Sequence, residues 1–143
     1  MKFLPLTMAL FLAAGALAAQ DLPPEITAAT DALMAECRDV GGEPGYSANY
    51  ITSADLNGDG QPDYLQNVME FGCAGAWSYF CGSAGCPATI WLSTPNGLHR
   101  AWSGVAQEAR LEGVSVVLFL HGTFCNPPAA GVEGCESTLT FTP

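Results

Sequence analysis

Basic residues are what this chain most conspicuously lacks: four lysines and arginines stand against fourteen aspartates and glutamates. Without a cationic surface there is nothing to displace counterions from phosphate, so nucleic acid is not expected as a partner. Anionic membrane surfaces are disfavoured on the same ground. Histidine is also scarce, with only His99 and His121 present. Neither lies in a nucleophile-elbow or metalloprotease pattern, and a lone imidazole at a strand end is most simply a hydrogen-bonded structural residue. The sequence has no Cys-x-x-Cys pair and no two histidines at ligand spacing, which argues against zinc. Beyond Leu17 no run is both long and continuously apolar, so no membrane insertion is expected once the N-terminal segment is removed.

That segment is the first positive feature. Met1-Lys2 precedes an apolar stretch from Phe3 to Leu17, too short to span a bilayer, and Ala16-Leu17-Ala18 supplies a small-x-small cleavage signal. Residues 1–18 are therefore expected to be a secretory signal peptide and residues 19–143 a single domain, periplasmic or secreted. With no cysteine at the junction, lipid attachment is not indicated. The mature chain keeps Arg38, Arg100 and Arg110 against all fourteen acids, a net charge near −11. Cations and basic proteins are the partners such a surface favours, although the same charge also serves solubility.

Six cysteines, Cys37, Cys73, Cys81, Cys86, Cys125 and Cys135, lie in the exported part. An oxidising compartment makes three disulfides the default. Fifteen pairings are possible. The spacings favour Cys125 with Cys135 and Cys81 with Cys86, which leaves Cys37 for Cys73.

Local patterning predicts an α+β fold, an N-terminal helix packed on a mostly antiparallel β-sheet and stapled by the disulfides. The helix should run from about Pro23 to Val40: prolines suit its first turn, Glu25 favours the positive end of the dipole, and Gly41-Gly42 stop it. Ile26, Ala29, Leu33, Met34 and Cys37 form its apolar stripe. Glu43 to Ser47 reads as a Pro/Gly linker, after which the period changes to two. Strands are expected at 49–52 and 64–68, at 88–93 and 98–103 around the turn Thr94-Pro95-Asn96-Gly97, at 105–111 and 114–121 around Glu112-Gly113, and at 137–141. Phe71 to Cys81 fits no period. Val114 to Leu120 is apolar on both faces, which suits a central strand with one face under the helix. Trp77, Trp91 and Trp102 are read as core or rim in preference to a ligand platform.

The stretch with chemistry in it is Asp55-Leu56-Asn57-Gly58-Asp59-Gly60-Gln61-Pro62-Asp63. Hard cations take six to eight oxygens, and a loop can supply them from alternate side chains and a backbone carbonyl. Asp55, Asn57, Asp59 and Asp63 would give side-chain oxygens, Gln61 its carbonyl, and Gly60 would permit the bend. The competing explanation is an Asn-Gly and Asp-Gly hairpin turn, which needs no acids at alternate positions.

The nine residues resemble the start of an EF-hand calcium loop, but the position of the bidentate glutamate holds Gln66, and both flanks read as strands. They resemble more closely the Asp-x-Asn-x-Asp-Gly-x-x-Asp loops of FG-GAP and related repeats. That resemblance implies Asp63 as the bidentate ligand; with no second copy of the motif, it implies no propeller. Together with Cys81-Gly82-Ser83-Ala84-Gly85-Cys86 and His121-Gly122-Thr123-Phe124-Cys125, the pattern is also similar to small exported cysteine-rich bacterial proteins, a likeness that brings no activity with it. The expectation is an exported domain with a structural Ca²⁺ site and no catalytic role. Two alternatives are an envelope module that binds or inhibits a basic protein such as a lysozyme, and a metal-assisted hydrolase with an open coordination position near His99 or His121.

Overall fold

The computed structural model describes residues 21–143. The expected signal peptide lies outside the described residues. Helix α1 spans Pro24–Asp39, within a residue of its predicted bounds at each end. Glu25 sits in the first turn as the dipole favours. Its carboxylate also accepts the Leu98 amide at 3.0 Å, fastening the helix start to a turn 73 residues away. From the apolar stripe, Ile26 and Cys37 are fully buried, with Leu33 and Met34 packed beside them. Thr30 is buried too, its hydroxyl 3.2 Å from that of Tyr50.

The strands form three antiparallel sheets in place of one. A two-stranded ribbon pairs β1 (Glu43–Tyr46) with β4 (Phe71–Ala74). A four-stranded sheet takes the order β2 (Ile51–Ala54), β3 (Asp63–Asn67), β5 (Cys86–Thr94), β6 (Gly97–Ala106). A three-stranded sheet orders β7 (Glu108–Glu112), β8 (Ser115–Leu120), β9 (Cys135–Leu139). The expected strand 105–111 is in fact divided at Gln107, where the chain leaves one sheet and enters the next.

Glu43 to Tyr46 is a strand and not a linker. Pro44 and Gly45 are weak strand formers, but a two-stranded ribbon tolerates a residue without an N–H on its open side. The Cys37–Cys73 disulfide also ties this ribbon to the end of the helix. All three expected disulfides are present, the others being Cys81–Cys86 and Cys125–Cys135.

Two cores result. The larger sits between sheets: Leu65, Ile90 and Leu92 of the four-stranded sheet pack with Val116 and Leu118 of β8. Strand β8 is central, as its two apolar faces require, but it is covered by sheet and not by the helix. The smaller core collects Cys37, Tyr50, Val68, Phe71, Cys73 and Cys86 under α1. Burying a Leu or Ile side chain contributes roughly 1.5 to 3 kcal/mol, and this sheet-on-sheet layer holds several such residues. It is therefore the main support of the hairpin that carries the acidic loop.

Candidate functional site

The acidic loop connects β2 to β3, and the pairing of Ala54 with Asp63 closes the hairpin beneath it. Its one aliphatic side chain, Leu56, is buried in the larger core and anchors the loop from inside. Gly58 and Gly60 have φ of 78° and 81°. These left-handed conformations are accessible to glycine at little cost, and they let the chain fold back twice within three residues.

Three of the polar side chains, Asp55, Asn57 and Asp59, accept from backbone amides further along the loop. The Asp55 carboxylate accepts from Gly58 N–H at 2.7 Å and Gly60 N–H at 2.9 Å. Asn57 Oδ1 accepts the Asp59 amide at 3.0 Å, and Asp59 Oδ1 accepts the Gln61 amide at 2.8 Å. This is the self-turning habit of Asp and Asn, repeated at alternate positions. The Gln61 amide is the main cause holding the Asp59 carboxyl below its ordinary range, followed by the Ser93 hydroxyl; slight desolvation opposes them, and Asn57 adds a smaller lowering.

Asp63 is fully buried. One oxygen accepts from Leu56 N–H and Asn57 N–H at 2.7 and 3.1 Å. The other accepts from the Ser93 amide and hydroxyl at 2.6 and 2.8 Å. Of the four or so lone-pair directions a carboxylate offers, three meet backbone amides here and the fourth faces the Ser93 hydroxyl. Asp63 thus ties the loop both to its own beginning and to β5.

Ser93 is the residue that sequence reasoning missed. Its hydroxyl lies 2.8 Å from Asp59 Oδ2 as well as from Asp63 Oδ1. A hydroxyl has a single proton to donate, so two carboxylate oxygens converge on one donor. Asn57 Nδ2 approaches the same Asp59 oxygen and the Ser93 carbonyl, each at 3.4 Å. A serine at a strand end thirty residues away carries no motif, and only the β3–β5 pairing brings it here.

The structure therefore joins Asp59, Asp63 and Asn57 through Ser93, while Asp55 turns its carboxylate onto Gly58 and Gly60. Gln61 is exposed and lines, with Glu25 and Tyr64, an open cleft of about 400 Å³. Among the described residues, no three Asp, Glu, His or Cys side chains are gathered as a ready metal-holding group. The ion pairs among the described residues all belong to Arg110, which meets Glu108, Glu112 and Glu136. The loop carboxylates accordingly have no cationic side-chain partner there. The donors are all oxygens, which suits a hard cation in kind.

The other residues considered for function sit elsewhere. His121 caps a short 3-10 turn, with its Nδ1 2.9 Å from the Thr123 hydroxyl. His99 is exposed on β6. Trp91 is buried and donates its indole N–H to Gln66 at 3.2 Å, with Arg100 stacked 5.2 Å from its ring centroid. Trp102 packs against the larger core, and Trp77 is exposed. No family model matches this chain, and neither a curated protein nor a solved structure matches it.

Proposed function

We propose that this protein is an exported domain that binds one calcium ion at the Asp55–Asp63 hairpin, where the ion has a structural and not a catalytic role. Asp55, Asn57, Asp59, the Gln61 carbonyl and Asp63 would hold it, with Asp55 and Asp63 exchanging for the ion some of the amide donors they accept from here. The ion would supply positive charge to a loop that otherwise concentrates three carboxylates. One observation supports this above the others: Asp59 and Asp63 converge on a single hydroxyl proton, with no cationic side chain among the described ion pairs to balance them. The left-handed Gly58 and Gly60 support it further, because they bend the loop at the positions a cation-wrapping chain needs.

Export is supported by three disulfides, two at the smaller core and one across the β8–β9 connection, since such bonds persist in oxidising compartments. No helix among the described residues is long and apolar enough to cross a membrane. Extracellular modules bind calcium at about 10⁻⁴ to 10⁻³ M, and at ten times Kd the ion adds about 1.4 kcal/mol. Its expected effect is to order the loop, not to hold the whole fold together.

The test is calorimetric titration with calcium at low ionic strength. Wild type should give saturable heat at one ion per chain, and Asp59→Ala should give none. Equal heat in both proteins, or none in either, would overturn the calcium assignment.

A further inference from the structure

A separate feature lies on the β1–β4 ribbon, away from the acidic loop. Trp77 is 76 % exposed and Tyr46 53 % exposed, and both line one open hollow of about 440 Å³ on the β1–β4 ribbon. Aromatic rings left in water on an ordered surface lose the burial that normally stabilises them, and such patches mark contact sites. The Tyr46 ring and the segment that carries Trp77 are both anchored. Tyr46 packs on the buried Tyr50 at 4.9 Å between centroids. Trp77 lies in the short segment between Cys73 and Cys81, each of which is fixed in a disulfide. Ordering that is already present in the free protein is not charged against binding.

The rest of the hollow decides what fits. Gly45 and Gly72 face each other across the β1–β4 ladder, so a stretch of the ribbon presents bare backbone. Glu43 and Glu70 are among the residues lining it, and the Glu70 carboxylate is oriented by the Ser47 hydroxyl at 2.6 Å. Among the described residues no basic residue lines it. Two of the three arginines are already occupied: Arg110 is surrounded by three glutamates and Arg100 lies over Trp91.

From this combination we infer that the Tyr46–Trp77 hollow is a docking site for a basic polypeptide, receiving an arginine or lysine side chain between the two rings with Glu43 and Glu70 beside it. Aromatic faces attract cations, most strongly Trp and Tyr faces, and two carboxylates neutralise the incoming charge. The net charge of the chain would draw such a partner in over longer range. This inference does not depend on calcium at the hairpin.

The experiment is a titration of the full mature chain, at low ionic strength, with tetra-arginine amide, following tryptophan fluorescence. Parallel titrations use the uncharged isostere tetra-citrulline amide and the sugar tetra-N-acetylchitotetraose. Tetra-arginine should bind and tetra-citrulline should not. Trp77→Ala should weaken binding by about tenfold, in line with a cation–π contact of 1 kcal/mol or more. Followed by calorimetry, Glu43→Gln should weaken binding more than Glu133→Gln, which removes an equal charge outside the hollow. Absence of binding, indifference to Trp77→Ala, or equal loss in the two glutamate variants would overturn the inference. Capture of the sugar in place of the peptide would overturn it too, and would make the hollow a saccharide platform.

Discussion

The main-chain amide and the side-chain hydroxyl of Ser93 both donate to the same oxygen of Asp63, at 2.6 and 2.8 Å. Through this pair a loop between β2 and β3 is locked to the end of β5.

Replacing Asp63 with Ala should destabilise the fold by about 3 kcal/mol, because it removes charge-assisted bonds and leaves the Leu56, Asn57 and Ser93 amides without their acceptor. Asp63→Asn should lose nearly as much, since one end of an amide presents donors to donors. Urea denaturation of the calcium-free protein measures both. Wild-type stability in Asp63→Ala would mean the carboxylate is not the tie described.

The loop should loosen only in strong acid. The folded-state pKa of Asp59 is depressed, first by the Gln61 amide and then by the Ser93 hydroxyl. Its contribution is therefore complete above the unfolded value, about 3.9 for an aspartate, and fades as pH falls through the lower folded value. Amide exchange at Gln61, followed against pH, should stay protected through the ordinary aspartate range. Release well above that range would contradict the assignment.

Tyr50 joins the helix to the sheet: its hydroxyl is 3.2 Å from that of Thr30 and accepts from Gln66 Nε2 at 2.6 Å. Tyr50→Phe should cost about 1 to 2 kcal/mol by stripping both partners. Burial, the largest influence, raises the phenol above its ordinary range; Thr30 and Gln66 draw it back, and Tyr46 pushes it slightly up. A raised folded value means that this stabilisation is intact below about pH 10 and is lost as pH climbs through the folded value. Phenolate absorbance should show Tyr50 ionising late together with helix loss, beside Tyr79, whose phenol is also raised by its hydrogen bond to Glu36; the late component coupled to helix loss should vanish in the Phe variant, leaving that of Tyr79.

Removing the disulfides one pair at a time should rank them by the loop each closes. The sequence separations are 36 for Cys37–Cys73, 10 for Cys125–Cys135 and 5 for Cys81–Cys86. Chain entropy then gives losses of about 4, 3 and 2 kcal/mol respectively for the paired alanine variants. Removing Cys37–Cys73 should cost more still, because both side chains are buried in the smaller core. Thermal unfolding of the three double variants checks the order, and a reversed ranking would show that unfolded-chain entropy is not what these bonds limit.

Much of the fold was legible because its cues are local. The prolines, Glu25 and the Gly41-Gly42 stop placed the helix within a residue at each end, and period-two runs placed most of the strands. Phe71 to Cys81 had no period because only Phe71–Ala74 is strand; the rest turns back under two disulfides. Glu43 to Ser47 reads as a linker because Pro44 and Gly45 outweigh their neighbours locally, whereas pairing with β4 and the nearby disulfide make Glu43–Tyr46 a strand.

By itself, then, the sequence determined the acidic charge, the amphipathic helix, the alternating strands, the short cystine loops and the bend around Gly58 and Gly60. Each depends on residues near one another in the chain, where spacing alone sets geometry. Only the tertiary structure decided that the strands split into three sheets, that β8 lies under a sheet and not under the helix, that Ser93 closes on Asp59 and Asp63, and that Tyr46 and Trp77 share one hollow. Those relationships join positions about thirty or more residues apart, and the physical cause is strand register and core packing, which no local pattern encodes.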